Sequence, residues 1–169
     1  MSHPSMSHPS TRRASRTAFT REPAQTPDLG LLFDRHHAFC HADTPPESIH
    51  MMDRAALDAA GVALFVARDA DGTPLAMGAI KRIGPDHGEI KSMHVLDEAR
   101  GRGLARAMVN HIVTEARGMG LSRLSLETGA QPSFAAARAL YAAAGFVETP
   151  PFGDYRPDPM SVFMSREIG

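Results

Sequence analysis

The chain has 169 residues, enough for one domain with a substantial hydrophobic core, and its formal net charge of −1 argues against a general nucleic-acid-binding protein. Its one cysteine, Cys40, excludes an internal disulfide and fits a reducing compartment, in which a buried or inert thiol is expected. No apolar run approaches the ~18 residues of a membrane span, and the N-terminus lacks the apolar segment of a secretory signal. We therefore expect a cytoplasmic protein without a membrane partner.

The chain is predicted to consist of a tail and one domain. Residues 1–14 are rich in Ser, Pro, His and Arg and nearly repeat themselves (SHPSM, SHPS). Such a segment cannot bury enough apolar surface to offset the entropy of ordering it, so it is predicted to be disordered. The domain is then expected to occupy residues 15–169.

The first half of the domain opens with one strand and two helices. Weak alternation predicts a strand at residues 15–22, and Asp28 is placed to cap a helix that ends near His41. A loop that contains Pro45 and Pro46 then leads into a second helix, predicted at residues 47–60.

No metal site is predicted. His3 and His8 lie in the tail. His37 and His41 share a helix face at a spacing that can bind zinc, but the intervening glutamate of the metalloprotease motif is absent, so a partly exposed pair is expected.

The rest of the chain alternates between strand and helix patterns, which favours an α/β or α+β fold. Strands are predicted at residues 62–69, 74–83, 89–95, 121–128, 146–147 and 161–166, and helices at residues 104–117 and 133–144. Residues 69–72 (DADG) predict a hairpin between the first two of these strands. Ser133 is placed to cap the last helix, and Gly145 to end it in a left-handed conformation.

Residues 88–105 carry the strongest functional signal. A strand is followed there by a loop with Gly101 and Gly103 and then by the start of a helix. Glycines let the backbone approach a ligand closely, and a helix N-terminus offers free N–H groups, so the segment is suited to bind phosphate. A tight turn without a ligand remains the alternative.

Arginines beside this loop add charge suited to phosphate oxygens, namely Arg100, Arg102 and Arg106. Two nucleotide-binding motifs are excluded. The loop has no Gly-Lys-Ser/Thr ending, and Arg106 stands where a dinucleotide-binding fingerprint requires its third glycine.

Two segments resemble the GNAT superfamily of acyl-CoA-dependent N-acetyltransferases. Residues 100–105 (RGRGLA) match its R/Q-x-x-G-x-G/A signature, and residues 137–146 resemble its A-x-x-L-Y-x-x-x-G-F segment. Within the family, the chain is most similar to the YsnE-like bacterial branch, through residues 45–48, 88–93, 126–129 and 161–164. Phe134 departs from the family, which often has an asparagine there that contacts the cofactor.

The resemblance implies a GNAT-like mixed, mostly antiparallel central sheet flanked by helices. It also implies an enzyme that moves an acetyl group from acetyl-CoA to a primary amine of a small molecule. The residues it assigns to the cofactor are Met93, His94, Val95, Arg100, Gly101, Arg102, Gly103, Leu104 and Ala105. A non-catalytic module that binds acyl-CoA is the alternative, and a homodimer is left open.

The same resemblance implies the catalytic groups. Glu89 is the expected base, because some members place a glutamate there and strand alternation would put it on the face of Met93 and Val95. A structural ion pair is its alternative role, and Glu127 is the second candidate base. Tyr141 matches a tyrosine that lies near the CoA sulfur in the family and is the expected general acid.

Three residues are candidates for binding the acceptor. Ser48 and His50 fall where the family plan covers the acceptor site. Lys91 shares a strand face with Glu89 by alternation, so it either pairs with Glu89 or meets a carboxylate on the acceptor. The second alternative is favoured and predicts an amino acid or a similar amine as the acceptor.

Overall fold

The computed structural model describes residues 17–169. The predicted disordered tail and the first two residues of the predicted first strand lie outside this range. Within it, no helix is both long and apolar enough to cross a membrane.

One seven-stranded sheet forms the centre of the molecule, in the order β1-β2-β3-β4-β5-β7-β6. Its strands are β1 (Ala18–Arg21), β2 (Val62–Arg68), β3 (Pro74–Arg82), β4 (His87–Val95), β5 (Arg123–Gly129), β6 (Val147–Glu148) and β7 (Ser161–Glu167). Neighbouring strands are antiparallel except β4 and β5, which are parallel. The predicted mixed, mostly antiparallel sheet is confirmed.

Three α-helices flank the sheet: α1 (Gly30–Ala42), α2 (Leu104–Gly118) and α3 (Ala135–Ala143). The predicted apolar stripe of α2 is buried, and Met108 and Ile112 have no exposed surface. It packs on one sheet face with Ile80 and Leu124, whereas Leu32 of α1 belongs to the apolar cluster on the other face. Burying each such side chain contributes about 1.5–3 kcal/mol.

Strands β4 and β5 separate halfway along their length. They pair only where His87, Gly88 and Glu89 meet residues 123–125. Beyond Glu89 the two strands have no register with each other, so a cleft opens between them inside the sheet.

A β-bulge at Ser92 corrects the predicted alternation of β4. Met77 pairs with His94 but Ala79 pairs with Lys91, so two residues of β4 stand opposite one residue of β3. Ser92 takes a left-handed φ of 54°, which is uncommon for a residue other than glycine. The extra residue reverses the alternation of side chains along β4, so Glu89 and Met93 lie on opposite faces of the sheet. The expectation that strand alternation places Glu89 on the face of Met93 is therefore wrong.

The helix predicted at residues 47–60 is also wrong. The segment has two 3-10 turns, Pro46–Ser48 and Ala55–Asp58, joined by residues without regular secondary structure. Arg54 donates to the carbonyl oxygens of Ala24 (2.6 Å) and Thr26 (2.8 Å), and Asp58 accepts from the Ala24 N–H (2.5 Å). These contacts with a distant part of the chain hold a backbone path that a continuous helix could not follow.

Neither predicted helix cap forms. Asp28 lies in a 3-10 turn before α1 and pairs with Arg68 at 2.6 Å, while Ser133 lies in a 3-10 turn before α3 and donates to Asp43 at 2.8 Å. Each turn begins at a proline, whose fixed φ suits a helix start. The prediction for Gly145 is confirmed, because its φ is 90°.

Candidate active site

A cavity of about 560 Å³ occupies the cleft between β4 and β5. The N-terminus of α2, residues of α1 and α3, and the loop before Met52 complete its walls. All of the predicted catalytic, cofactor and acceptor residues line this cavity except Arg102. The fold therefore brings segments that are far apart in sequence to one site.

The glycine loop presents free backbone donors to this cavity. Gly101 and Gly103 have φ values of 82° and 72°, and no atom lies within 4 Å of the place where either would carry a Cβ. The first hydrogen bond of α2 runs from Ala107 N–H to Gly103 O (3.0 Å). Within residues 17–169, no acceptor meets the N–H groups of residues 101–106. Such a cradle fits a pyrophosphate group.

The arginines divide between this cavity and the surface. Arg106 lines the cavity, and so does Arg100, which also pairs with Asp97 at 3.0 Å. The Arg102 side chain instead pairs with Asp69 of the β2–β3 turn at 3.4 Å. The Arg102 side chain is half exposed, so its expected contact with a phosphate stays a prediction, while its backbone N–H belongs to the free donors of the loop.

Glu89 and Lys91 form a buried pair at the other end of the cavity. Glu89 is 5% exposed, and its Oε2 lies 3.4 Å from Lys91 Nζ. Lys91 also donates to the His50 carbonyl oxygen (2.9 Å) and to the Tyr155 hydroxyl (3.0 Å). Of the two alternatives for Lys91, the structure contains the ion pair with Glu89.

The other two predicted catalytic groups are buried as well. Burial raises the pKa of Glu127, which lies on β5 across the cleft from Glu89. Burial also raises the pKa of Tyr141, so this phenol keeps its proton throughout the neutral range.

His36 and His94 form a second polar group, on the α1 side of the cavity. Their rings meet edge to face at 5.3 Å. Burial lowers the pKa of His36 to about 4, with the charges of His94, His37 and Lys91 adding to the effect. Burial also lowers the pKa of His94, so both imidazoles are neutral at pH 7.

Two other expectations concern α1. Burial raises the pKa of the Cys40 thiol to about 11, which favours the expected inert thiol over a nucleophile. His37 and His41 stack with ring centroids 3.8 Å apart. Within residues 17–169, no group of three or more His, Cys, Asp or Glu side chains could hold a metal ion.

Sequence reasoning missed Tyr155 and Asp158. Tyr155 donates to Glu89 Oε2 at 2.5 Å, and Asp158 accepts from Ser48 Oγ at 2.7 Å. Both lie in the proline-rich connection between β6 and β7, which showed no motif. A lone tyrosine with Phe152 beside it in a polar loop was the one available signal. Phe134, the departure from the family pattern, lines the cavity and packs edge to face on Phe39 at 5.0 Å.

The split sheet, the glycine loop at a helix start and the buried glutamate together define an acyl-CoA-dependent N-acetyltransferase. The chain belongs to the acetyltransferase (GNAT) family, whose sequence model matches residues 27–146.

Named relatives agree with this assignment. The chain is 41% identical over 125 residues to the uncharacterized N-acetyltransferase YsnE of Bacillus subtilis, across 74% of this chain and 82% of YsnE. It is 41% identical over 126 residues to an IAA acetyltransferase of Azospirillum brasilense, across 73% of this chain and 80% of that protein. The predicted likeness to YsnE is confirmed.

A solved structure shares the fold. YncA of Salmonella typhimurium, determined with its cofactor acetyl-CoA, superposes with a TM-score of 0.65 and 18% identity, over 92% of this chain and 95% of that one.

Proposed function

We propose that this N-acetyltransferase acetylates the primary amine of a small molecule, with Glu89 as the general base and Tyr141 as the general acid. One observation carries the proposal: a single cavity joins a cradle of free N–H groups to a buried carboxylate.

The glycine loop would hold the cofactor. The backbone N–H groups of residues 101–106 meet the pyrophosphate, with Arg100 and Arg106 beside them. Met93, His94 and Val95 line the wall between this cradle and Glu89. When bound, acetyl-CoA would supply the acetyl group: the amine forms a bond to the acetyl carbon while the thioester C–S bond breaks and CoA leaves as a thiolate.

Glu89 would take the proton from the acceptor. An ordinary alkylammonium has a pKa of about 10.4 and cannot attack until it is deprotonated. Within residues 17–169, only Oε2 of Glu89 has a hydrogen-bond partner, which leaves Oε1 available to the amine. Glu127 remains the second candidate, since burial keeps its pKa raised.

Tyr141 would donate a proton to the sulfur of the leaving CoA, while Glu89 takes one from the attacking amine. Tyr141 lines the cavity, and the raised pKa of its hydroxyl keeps on it the proton that the leaving sulfur needs.

The acceptor is proposed as a small primary amine, with Ser48 and His50 in the wall around it. An amino-acid acceptor depended on a free Lys91, yet this ammonium already donates two hydrogen bonds, to the His50 carbonyl and to Tyr155, and forms an ion pair with Glu89. We therefore expect Lys91→Met to lower activity equally for carboxylate-bearing and neutral amines. A selective rise in KM for the carboxylate-bearing amines would restore the amino-acid hypothesis.

Release of free CoA from acetyl-CoA in the presence of a panel of amines tests the function. The Glu89→Gln variant should lose roughly 10²–10⁴-fold in kcat, the usual worth of a general base. Glu127→Gln is the matched control, and a larger loss there would transfer the role to Glu127. Calorimetric binding of acetyl-CoA without turnover of any amine would indicate the non-catalytic module instead.

A further inference from the structure

Tyr155 stands out because the reaction described above does not use it, although it touches the proposed base. Its hydroxyl donates to Glu89 Oε2 at 2.5 Å and accepts from Lys91 Nζ at 3.0 Å. The oxygen thus bridges the two members of the buried ion pair.

Aromatic neighbours hold the Tyr155 ring in this position. Phe152 and His50 meet it edge to face with centroids 5.1 Å away, and Phe163 of β7 lies at 5.3 Å. Such contacts leave the ring little freedom to turn its hydroxyl away from Glu89.

The chain around Tyr155 is fastened to the acceptor side of the cavity. Asp158 accepts from Ser48 Oγ (2.7 Å) and from the Met160 N–H (2.8 Å). Lys91 joins the same two segments, because it donates to the His50 carbonyl and to Tyr155. The β6–β7 connection therefore forms a fixed support behind Glu89.

We propose that Tyr155 is a positioning residue for the general base: it holds Oε2 of Glu89 so that Oε1 faces the acceptor amine. This rests on the proposed role of Glu89. When one oxygen of a carboxylate is held by a hydrogen bond, the other oxygen keeps a fixed orientation. The base is then already oriented toward the amine proton, which lowers the entropic cost of reaching the reactive geometry.

The phenol also stays a donor at any working pH. Burial and the neighbouring Glu89 charge raise the pKa of Tyr155, so the hydroxyl does not ionise beside the carboxylate. The hydroxyl therefore keeps donating to Glu89 Oε2 while Oε1 stays available to the acceptor.

The Tyr155→Phe variant tests this inference, with kcat and KM measured from pH 5 to 9. We expect roughly a tenfold lower kcat, since one hydrogen bond to a charged group is lost, and an unchanged KM for acetyl-CoA. The acidic limb of the kcat profile should move to higher pH, because the ionised carboxylate has lost a donor. An unmoved profile with wild-type kcat would overturn the proposal.

Two further variants separate positioning from packing. Phe152→Leu loosens the same aromatic cluster but keeps the hydroxyl, so it should lower the melting temperature without moving the pH profile. Tyr155→Phe combined with Glu89→Gln should be no slower than Glu89→Gln alone, because Tyr155 acts through Glu89. Additive losses would refute that dependence. If Glu89→Gln is itself fully active, the proposed base is wrong, whatever Tyr155→Phe does.

Discussion

Tyr141 is the residue at which packing and chemistry are easiest to separate. Its ring packs on Phe146 with centroids 5.7 Å apart, and replacement by Phe keeps that contact. We expect Tyr141→Phe to fold normally and to lose roughly 10²–10⁴-fold in kcat, as expected for loss of a general acid. Thermal unfolding controls for the fold, and wild-type turnover would make Tyr141 a packing residue only.

His36 gives the molecule a measurable dependence on acid. Its pKa is about 4 in the folded chain, whereas an unfolded histidine titrates near 6.5. Between pH 4 and pH 6.5, His36 is protonated in the unfolded chain but not in the folded chain. The free energy of unfolding therefore decreases as the pH drops from 6.5 to 4. We expect a loss of up to about 3 kcal/mol, measured by urea unfolding.

The control for this prediction is His36→Gln, which cannot take up that proton. The two proteins should converge in stability, or exchange order, as the pH falls from 6.5 to 4. Stability curves that run parallel over this range would mean that His36 is accessible to protons in the folded state.

The loop before α2 is the element on which cofactor binding depends. A side chain at Gly103 would be strained at a φ of 72° and would enter the space in front of the free N–H groups. We expect Gly103→Val to weaken acetyl-CoA binding at least about tenfold by calorimetry, because several hydrogen bonds to pyrophosphate are lost.

Gly120→Val is a matched control for that variant. Gly120 has a φ of 80° and equally open surroundings, but it lies past the other end of α2. Both variants should lose stability, whereas only Gly103→Val should lose affinity. Equal affinities would contradict the phosphate-binding role of the loop.

Elements whose signal is local could be predicted from sequence. The β2–β3 hairpin, the buried stripe of α2 and the glycine loop each depend on a few neighbouring residues, and the structure has them where expected. The segment after Pro46 could not be predicted in this way. Its path is set by Arg54 and Asp58, which bind backbone groups about 30 residues away. The same holds for Tyr155, whose partner Glu89 lies 66 residues earlier.

At the scale of the whole molecule, the split sheet explains why most of the site residues came together as predicted. Parallel strands that pair at one end and part at the other leave a cavity in the middle of the domain. The motif on β4 and α2 and the motif on α3 both border this gap.

The extent of the domain is a prediction that concerns the whole chain. Strand β1 lies at the edge of the sheet, and Glu22 just after it pairs with Arg68 at 2.8 Å. A chain that starts at Ser15 should therefore keep the melting temperature and kcat of the full chain. A chain that starts at Pro23 lacks both contacts and should melt several degrees lower, at about 2–4 °C per kcal/mol of stability lost. A lower melting temperature for the first truncation would give residues 1–14 a structural role.

The bulge at Ser92 has a consequence for how this sequence can change over time. Since it reverses the order of faces along β4, loss or gain of one codon between Glu89 and Met93 would turn the carboxylate toward α2 and away from Tyr155. A change in the length of this stretch should therefore be more damaging than a substitution that keeps its length, at any position except Lys91. Descendants of this gene that keep the chemistry should therefore keep the count of residues from Glu89 to Gly103, while the hairpin turn between β2 and β3 is free to lengthen.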